Sequence, residues 1–462
     1  MVMKPKKIIV RSLGILLIAA IGLLIYYSWI SFPLMAGYGA KVMCSAVFDG
    51  GRDEQQVRDQ DLNAYMMRMA DFHINYVDSS VTGSIFGFGK RKAIYRNGLG
   101  ATLISELSEK NIRSQRFKLP AKPVVNTNTI PWPMGDKLCD TFPVAIDSLK
   151  LESAMKKIFT EEDTILPVHT RAVIVVYAGH LIAEHYADGF SAKTKLAGWS
   201  MTKTVTGALI GILVKQGKLL VESPAPVPEW QSAGDPRHVI TIENLLQQRS
   251  GLDFDEIYYR ASDATRMLFQ KSDMAAFTAS HSLKFQPGSV FHYSSGNSNI
   301  LSRIIRQTVG DSLYVGFPYK ELFYKLGMYS AVLEPDPSGT FVGSSYMYAN
   351  ARDWARFGLF FLDDGVFNKE RILPEGWVTK STKSPSSDKR GYGYQIWLNT
   401  GGDSSVKHYP SAPSDMFYAD GFESQLIFVI PSKKLVIVRM GLTQHNNFNA
   451  DQFLHDVLAC IK

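Results

Sequence analysis

Apolar positions crowd the start of the chain. From Ser12 to Ile30 no charged side chain occurs in 19 residues, and none follows until Lys41. A run of that length crosses a bilayer as a helix, and Tyr26, Tyr27 and Trp29 near its end suit a membrane interface. Residues 35–145 are mixed in pattern and close on the Pro-rich stretch "KLPAKPVVNTNTIPWPMGD", which predicts a linker draped over a surface. From about residue 146 the periodicity sharpens. "LESAMKKIFTEE" is amphipathic with helical spacing, and "RAVIVVYAGHLIAEHYADG" gives two apolar runs about Ala178–Gly179, a hairpin signal. A helix is expected over 200–216, with Val205, Leu209, Ile212 and Leu213 on its buried face. "TIENLLQQRSGL" predicts a helix capped by Thr241 that ends near Gly251. "SNILSRIIRQTVG" and "NARDWARFGLFFLDDG" predict two more, the second capped by Asn350 with Asp353 three residues on. "SQLIFVIPSKKLVIVRMG" reads as two strands turning near Pro431–Ser432. An early hairpin, intervening helices and a late hairpin predict an α+β domain. Its antiparallel sheet draws strands from both ends and is flanked by helices, with an additional all-helical part. The division expected is a membrane anchor over 1–34, a mixed segment and linker over 35–145, and the main domain over 146–462.

The chain has 462 residues, 45% hydrophobic and 20% charged, the balance of a globular protein. Its formal charge is +7, of which Lys4, Lys6, Lys7 and Arg11 supply four before the apolar run, leaving +3 for the rest. That excess is too small to argue for nucleic acid. The basic cluster ahead of the run places the bulk of a single-pass protein outside the cytoplasm, on the periplasmic side. The length of the run and the weak small-x-small site in "FPLMAGYGA" favour a retained anchor over a cleaved signal peptide. The cysteines are Cys44, Cys139 and Cys460, of which Cys44 and Cys139 form the candidate disulfide in an oxidising compartment. There is no clustered Cys/His spacing, so neither a metal nor another cofactor is expected.

Chemistry enters with "GWSMTKTVTGALIGILVKQGKL". Ser200 and Lys203 lie three apart at the head of a helix, so the lysine can reach the serine hydroxyl. The backbone N–H of a serine there is without a helical partner and sits at the positive end of the helix dipole, where it can bind an oxyanion. A serine hydroxyl attacks only when a base takes its proton, and a lysine can do so only where burial or a neighbouring cation lowers its pKa. Ser-x-x-Lys spacing alone is weak evidence. It recurs at Ser153 and Lys156 on an ordinary helix surface and at Ser386 and Lys389.

The surrounding motifs decide between these readings. "WSMTKTVTGALIGILVKQGKL", "ITIENLLQQRSGL", "PGSVFHYSSGNSNIL" and "GTFVGSSYMYANARDWARFG" follow in that order and together resemble the serine β-lactamase-related family. That group includes class C β-lactamases, DD-peptidases, esterases and 6-aminohexanoate-dimer hydrolases. The resemblance covers roughly residues 146–462 and implies a β-lactamase/transpeptidase-like domain. It implies Ser200 as nucleophile and Lys203 as its lysine. Tyr293 would share the proton relay, with Ser295 replacing the usual Asn of the tyrosine motif. Tyr95 with Asn97 and Tyr348 with Asn350 match Tyr-x-Asn literally. The first pair precedes the domain, however, and Asn350 is better used as a helix cap. Gly343-Ser344-Ser345 reads as a turn, and His292 as structural, with a place in the site beside Tyr293 as its alternative.

In the third motif, "ADGFESQLIFVIP", Phe422, Glu423 and Ser424 stand where the family has a cation, a spacer and a glycine. The backbone N–H of Gln425 remains available as the second oxyanion donor. These residues imply a membrane-anchored serine hydrolase that cleaves a small ester or amide through an acyl-enzyme. Phe422 in the cation's place favours neutral substrates over β-lactams and D-Ala-D-Ala peptides. The alternative is a β-lactamase-like module at the cell envelope that binds without cleaving.

Overall fold

The N-terminal apolar run belongs to a single helix, α1 (Pro5–Cys44), which outlasts it by fourteen residues. The computed structural model describes residues 5–462 except 64, 140, 162–166, 386–389, 403–405 and 444–446. Ile9 and the large apolar side chains from Leu13 to Trp29 of α1 face outward, covered by no other described residue. The helix is long and apolar enough to cross a membrane. Beyond this stretch the same helix enters the protein: Leu34, Ala36, Ala40, Met43 and Cys44 are buried. The boundary expected at residue 34 therefore marks a change of surroundings within one helix. Cys44, buried in α1, and Cys139, exposed, do not form the candidate disulfide.

The inner third of α1 packs on a four-stranded antiparallel sheet drawn from the mixed segment. Its strands are β1 (Ala70–Asn75), β2 (Ser80–Ile85), β3 (Phe88–Arg96) and β4 (Gly100–Leu103), in that order. Phe72, Val81, Ala93, Ala101 and Leu103 join α1 and the Phe254–Met274 region in one apolar cluster. An ion pair crosses this cluster. Lys41 Nζ donates to Glu334 Oε2 and, at 3.0 Å, to Ser45 Oγ. Ser45 Oγ and Ala101 N both donate to Glu334 Oε1, at 2.9 and 2.6 Å. The Pro-rich stretch lies on the main domain as expected, held by Arg356, which donates to the carbonyls of Pro133 and Gly135 and to Asp136.

The main sheet takes strands from both ends of the domain. Strands β5 (Thr170–Tyr177) and β6 (His180–Tyr186) form the predicted hairpin, turning where Ala178 and Gly179 have φ of +48° and +82°. With β7 (Trp397–Leu398), β8 (Phe417–Gly421), β9 (Gln425–Ile430) and β10 (Leu435–Gly441), the order is β7-β8-β9-β10-β5-β6, antiparallel throughout. Helix α2 (Ser148–Phe159) packs on β5 and β6. The central helix α3 (Thr202–Lys215) is buried from Thr202 through Leu213, between the sheet and the all-helical part. Helix α4 (Ser295–Val309), capped by Ser294, crosses α3, and α5 (Ala351–Leu362) lies against β9 and β10. The expected caps are present: Thr241 accepts from Asn244 N, and Asn350 accepts from Asp353 N.

Removing one partner of a buried ion pair leaves a charge uncompensated, which costs about 3–5 kcal/mol. Lys41→Ala should therefore lower the unfolding midpoint sharply in a thermal melt of detergent-solubilised protein. Adding Glu334→Gln to Lys41→Met should recover part of the loss. Equal melts for wild type and Lys41→Ala would show that the pair contributes nothing.

Candidate active site

Ser200 sits in a single 3₁₀ turn, Trp199–Met201, that runs directly into α3. Trp199, immediately before it, has φ of +47°, a strained conformation for a bulky residue that is held only by surrounding contacts. Its ring stacks on Tyr38 of α1, with centroids 6.2 Å apart, and meets Tyr346 and Phe422 edge-on. Ser200 itself is partly open.

Lys203, the second residue of α3, lies about one turn beyond Ser200 and is 1% exposed. Its ammonium donates to Ser200 Oγ at 3.0 Å, to Ser295 Oγ at 3.1 Å and to the Ser344 carbonyl at 3.0 Å. Burial pulls its pKa down to about 8, opposed by the negative charge of Glu256. Tyr293 completes the group. Its ring lies 4.9 Å from the Lys203 nitrogen, and its hydroxyl faces the Ser200 side chain closely enough to feel it electrostatically. Trp397 stacks on that ring and Tyr392 meets its edge. Burial of the hydroxyl raises the Tyr293 pKa well above that of an ordinary phenol, so the group rests neutral.

The geometry thus brings Ser200, Lys203, Tyr293 and Ser295 together. Gln425 lies at the start of β9, opposite Gly421, with a side chain that braces the turn between the strands. Its Nε2 donates to the carbonyls of Gly441, Phe422 and Glu423, and Gly441 N donates to its Oε1. Gly421 abuts the backbone before the serine, where a Cβ would meet the Gly198 carbonyl at 2.2 Å. Ser153 and Lys156 are exposed on α2, while Ser386 and Lys389 lie outside the described residues. His292 is structural: its ring hydrogen-bonds the Phe254 carbonyl at 2.8 Å.

Three participants escape a reading of spacing. Glu256 accepts from Ser295 Oγ at 2.5 Å, from Ser295 N at 2.9 Å and from the Tyr258 hydroxyl at 2.6 Å. Tyr258 also reaches Ser295 Oγ at 3.1 Å. Both residues come from "DFDEIYYR", in which nothing singles out Glu256 among neighbouring acids. Ser344, in the stretch read simply as a turn, contributes its carbonyl to Lys203. Among the described residues no cluster of His, Cys, Asp or Glu is arranged to hold a metal ion. A small cavity lined by Tyr38, Arg52, Asp61, Arg171, Trp199 and Glu423 lies beside the site without including Ser200 or Lys203.

The Beta-lactamase family model matches residues 163–459, well over half of the chain. The chain belongs to the β-lactamase family. It is 25% identical over 245 residues to the 6-aminohexanoate-dimer hydrolase of Paenarthrobacter ureafaciens, covering 50% of this chain and 61% of that protein. The match therefore spans less than two thirds of that hydrolase. Its fold is similar to that of a penicillin-binding protein homologue from Caulobacter crescentus, with a TM-score of 0.54 at 16% identity over 70% of this chain and 97% of the other. A family VIII carboxylesterase gives a TM-score of 0.54 at 14% identity, over 70% and 99%. The architecture is the β-lactamase/transpeptidase-like one.

Within this β-lactamase-family chain the turn after β8 carries Phe422, 48% exposed, followed by Glu423 and Ser424 with φ of +64° and +63°. Burial raises the Glu423 carboxyl to about 8. Ser424 stands where the family's glycine is expected and adopts the left-handed conformation that glycine accepts without cost. Ser424→Gly should stabilise the protein by about 1 kcal/mol, the strain relieved less the added chain entropy. A higher midpoint in a thermal melt would bear this out, and an unchanged or lower one would count against it.

Proposed function

We propose that this protein is a membrane-anchored serine hydrolase that opens an ester or amide through an acyl-enzyme on Ser200. The observation that carries the reading is the buried Lys203 ammonium, 3.0 Å from a partly open serine, with the Tyr293 ring 4.9 Å from the same nitrogen. At pH 7 a group with a pKa of about 8 is neutral in about a tenth of the molecules, a usable fraction for a general base. Neutral Lys203 takes the Ser200 proton as Oγ bonds to the substrate carbonyl carbon. The N–H of Ser200 and a backbone N–H from the Gly421–Gln425 turn hold the resulting oxyanion. The proton then passes by way of Tyr293 to the departing oxygen or nitrogen as that bond breaks. Water attacks the acyl-enzyme carbonyl and gives a proton to the same base, which passes it to Ser200 Oγ as the acyl–oxygen bond breaks and the acid departs.

The mouth of the site favours uncharged substrates. Phe422 occupies the position of a cation, Trp199 and Tyr258 flank it, and no Lys or Arg takes its place in this turn. The length and apolarity of α1 and the basic residues before it support an anchor that leaves this site on the periplasmic side. The acyl-transfer half of the proposal follows the Ser-Lys-Tyr geometry and the family. The preference for a neutral ester or small amide follows Phe422.

Labelling with a fluorophosphonate probe tests this reading. Wild type should be modified on the Ser200 peptide, Ser200→Ala should take up no label, and Tyr293→Phe should label at least tenfold more slowly. Absence of label on folded wild-type protein would leave a binding module as the remaining reading. The pH dependence is a second check. Because the base is the deprotonated lysine, the labelling rate should rise about tenfold per pH unit below about pH 8 and level off above it. The Glu256 charge holds the Lys203 pKa up, so Glu256→Gln should move that limb to lower pH. A limb that stays in place would disconnect Glu256 from the base.

A further inference from the structure

The β2–β3 hairpin ends in a two-residue turn, Phe86–Gly87, between the paired residues Ile85 and Phe88. Both turn residues have positive φ, +50° and +80°. Asn-Gly or Gly-Gly is the usual choice for such a turn. A phenylalanine there accepts backbone strain, and its ring gains little burial within the fold. Phe86 is 61% exposed and Phe88 is 69% exposed.

The tip lies where α1 emerges from the protein. The Phe86 ring meets Phe32 edge-on, with centroids 6.3 Å apart. A Cβ on Gly89 would come within 2.8 Å of Phe32 and Pro33, so glycine lets the hairpin settle onto the helix. That contact falls just past Ile30, where the outward-facing apolar stretch ends. Lys90, exposed, and Arg91, partly exposed, follow directly. Two exposed aromatic rings level with the end of a spanning helix, with cations next to them, suit the interfacial layer of a bilayer. Aromatic rings rest among headgroups there, and cations meet anionic phosphates.

We infer that the hairpin tip, Phe86 and Phe88 with Lys90 and Arg91, is a second membrane contact that docks the domain on the lipid surface and presents the Ser200 site to amphiphilic esters or amides held there. This rests on the acyl-transfer reading and on α1 as the anchor. One helix leaves a domain free to swing, whereas a helix and a hairpin together fix its orientation. Tyr38, which stacks on Trp199 beside Ser200, is six residues beyond Phe32, about 9 Å along the helix. The site is thereby held near the level at which the hairpin enters the headgroups.

The test uses full-length protein carrying Cys139→Ser, reconstituted into phosphatidylcholine–phosphatidylglycerol vesicles. A cysteine at Phe88 (Phe88→Cys) or, as the exposed control, at Val124 (Val124→Cys) carries an environment-sensitive NBD fluorophore. At 88 the emission should shift to the blue and be quenched by nitroxide-bearing lipid, while at 124 it should do neither. Water-like, unquenched emission at both positions would overturn the docking. In the activity arm, Phe86→Ser/Phe88→Ser should leave turnover of a water-soluble short-chain ester unchanged. It should slow a long-chain ester carried in the same vesicles by about tenfold. Equal rates for variant and wild type on the vesicle substrate would overturn the link between docking and substrate. Wild type that turns over neither ester would overturn the acyl-transfer reading, while the fluorescence still decides the docking.

Discussion

The candidate site depends on one buried charge. Lys203 has three N–H donors, and each meets an oxygen: the Ser200 hydroxyl, the Ser295 hydroxyl and the Ser344 carbonyl. All three acceptors are neutral. The ammonium is therefore satisfied in its hydrogen bonds without being compensated in its charge, and that combination lowers its pKa without expelling it from the fold. A carboxylate in the place of Ser295 would make a stronger pair and a poorer base. Glu256 stands one residue further back, acting on Lys203 through Ser295 and across a longer distance. The acceptors are themselves fixed. Ser344 N donates to Asn299 of α4, and Thr206 of α3 donates to the Gly343 carbonyl, so the carbonyl that receives Lys203 is tied to both helices.

A second constraint lies on the other side of the serine. Trp199 keeps its left-handed backbone because its ring is held among Tyr38, Tyr346 and Phe422. Tyr38 belongs to α1, and the Lys41–Glu334 pair three residues along fastens that helix to the main domain. The N-terminal helix therefore does more than precede the fold. Its inner third is part of the packing that sets the backbone entering Ser200, so a truncation at residue 44 would remove Ala40 and Met43 and expose the residues packed on them.

What could be read from the sequence was local. Helix caps at Thr241 and Asn350, the Ala178–Gly179 turn and the Ser200–Lys203 spacing each follow from a few adjacent residues, and each is present in the structure. Tyr293 and Ser295 came from motif order rather than spacing, and they meet Lys203 across ninety residues of chain. Glu256 and the Ser344 carbonyl were not legible. A backbone carbonyl carries no residue signal, and an acid in a loop rich in acids becomes distinctive only when the fold sets it beside Ser295. The change of surroundings within α1 was hidden for a related reason. Apolar residues facing lipid and apolar residues facing a protein core have the same composition, and only the partner distinguishes them.

The altered third motif connects these two halves. A cation at the turn after β8 would supply a fixed counter-charge for an anionic substrate and would lie near the Lys203 ammonium. Like charges nearby lower a lysine pKa further, so under the proposed function Phe422 in that place would leave the site without a charged binding element and without one means of making Lys203 a base. Burial alone then has to keep Lys203 near 8, which fits a helix α3 with no exposed residue from Thr202 to Leu213. The Glu423 carboxyl beside it, partly buried and raised to about 8, is neutral at pH 7 for the most part and adds little opposing charge. The wall formed by Phe422, Trp199 and Tyr258 is accordingly aromatic and nearly uncharged, and its packing runs through Tyr38 into the helix that carries the apolar stretch. Under the proposed function, the aromatic turn, the burial of Lys203 and the proximity to α1 are three aspects of one arrangement, in which apolar contact would serve the recognition that a charge would otherwise perform.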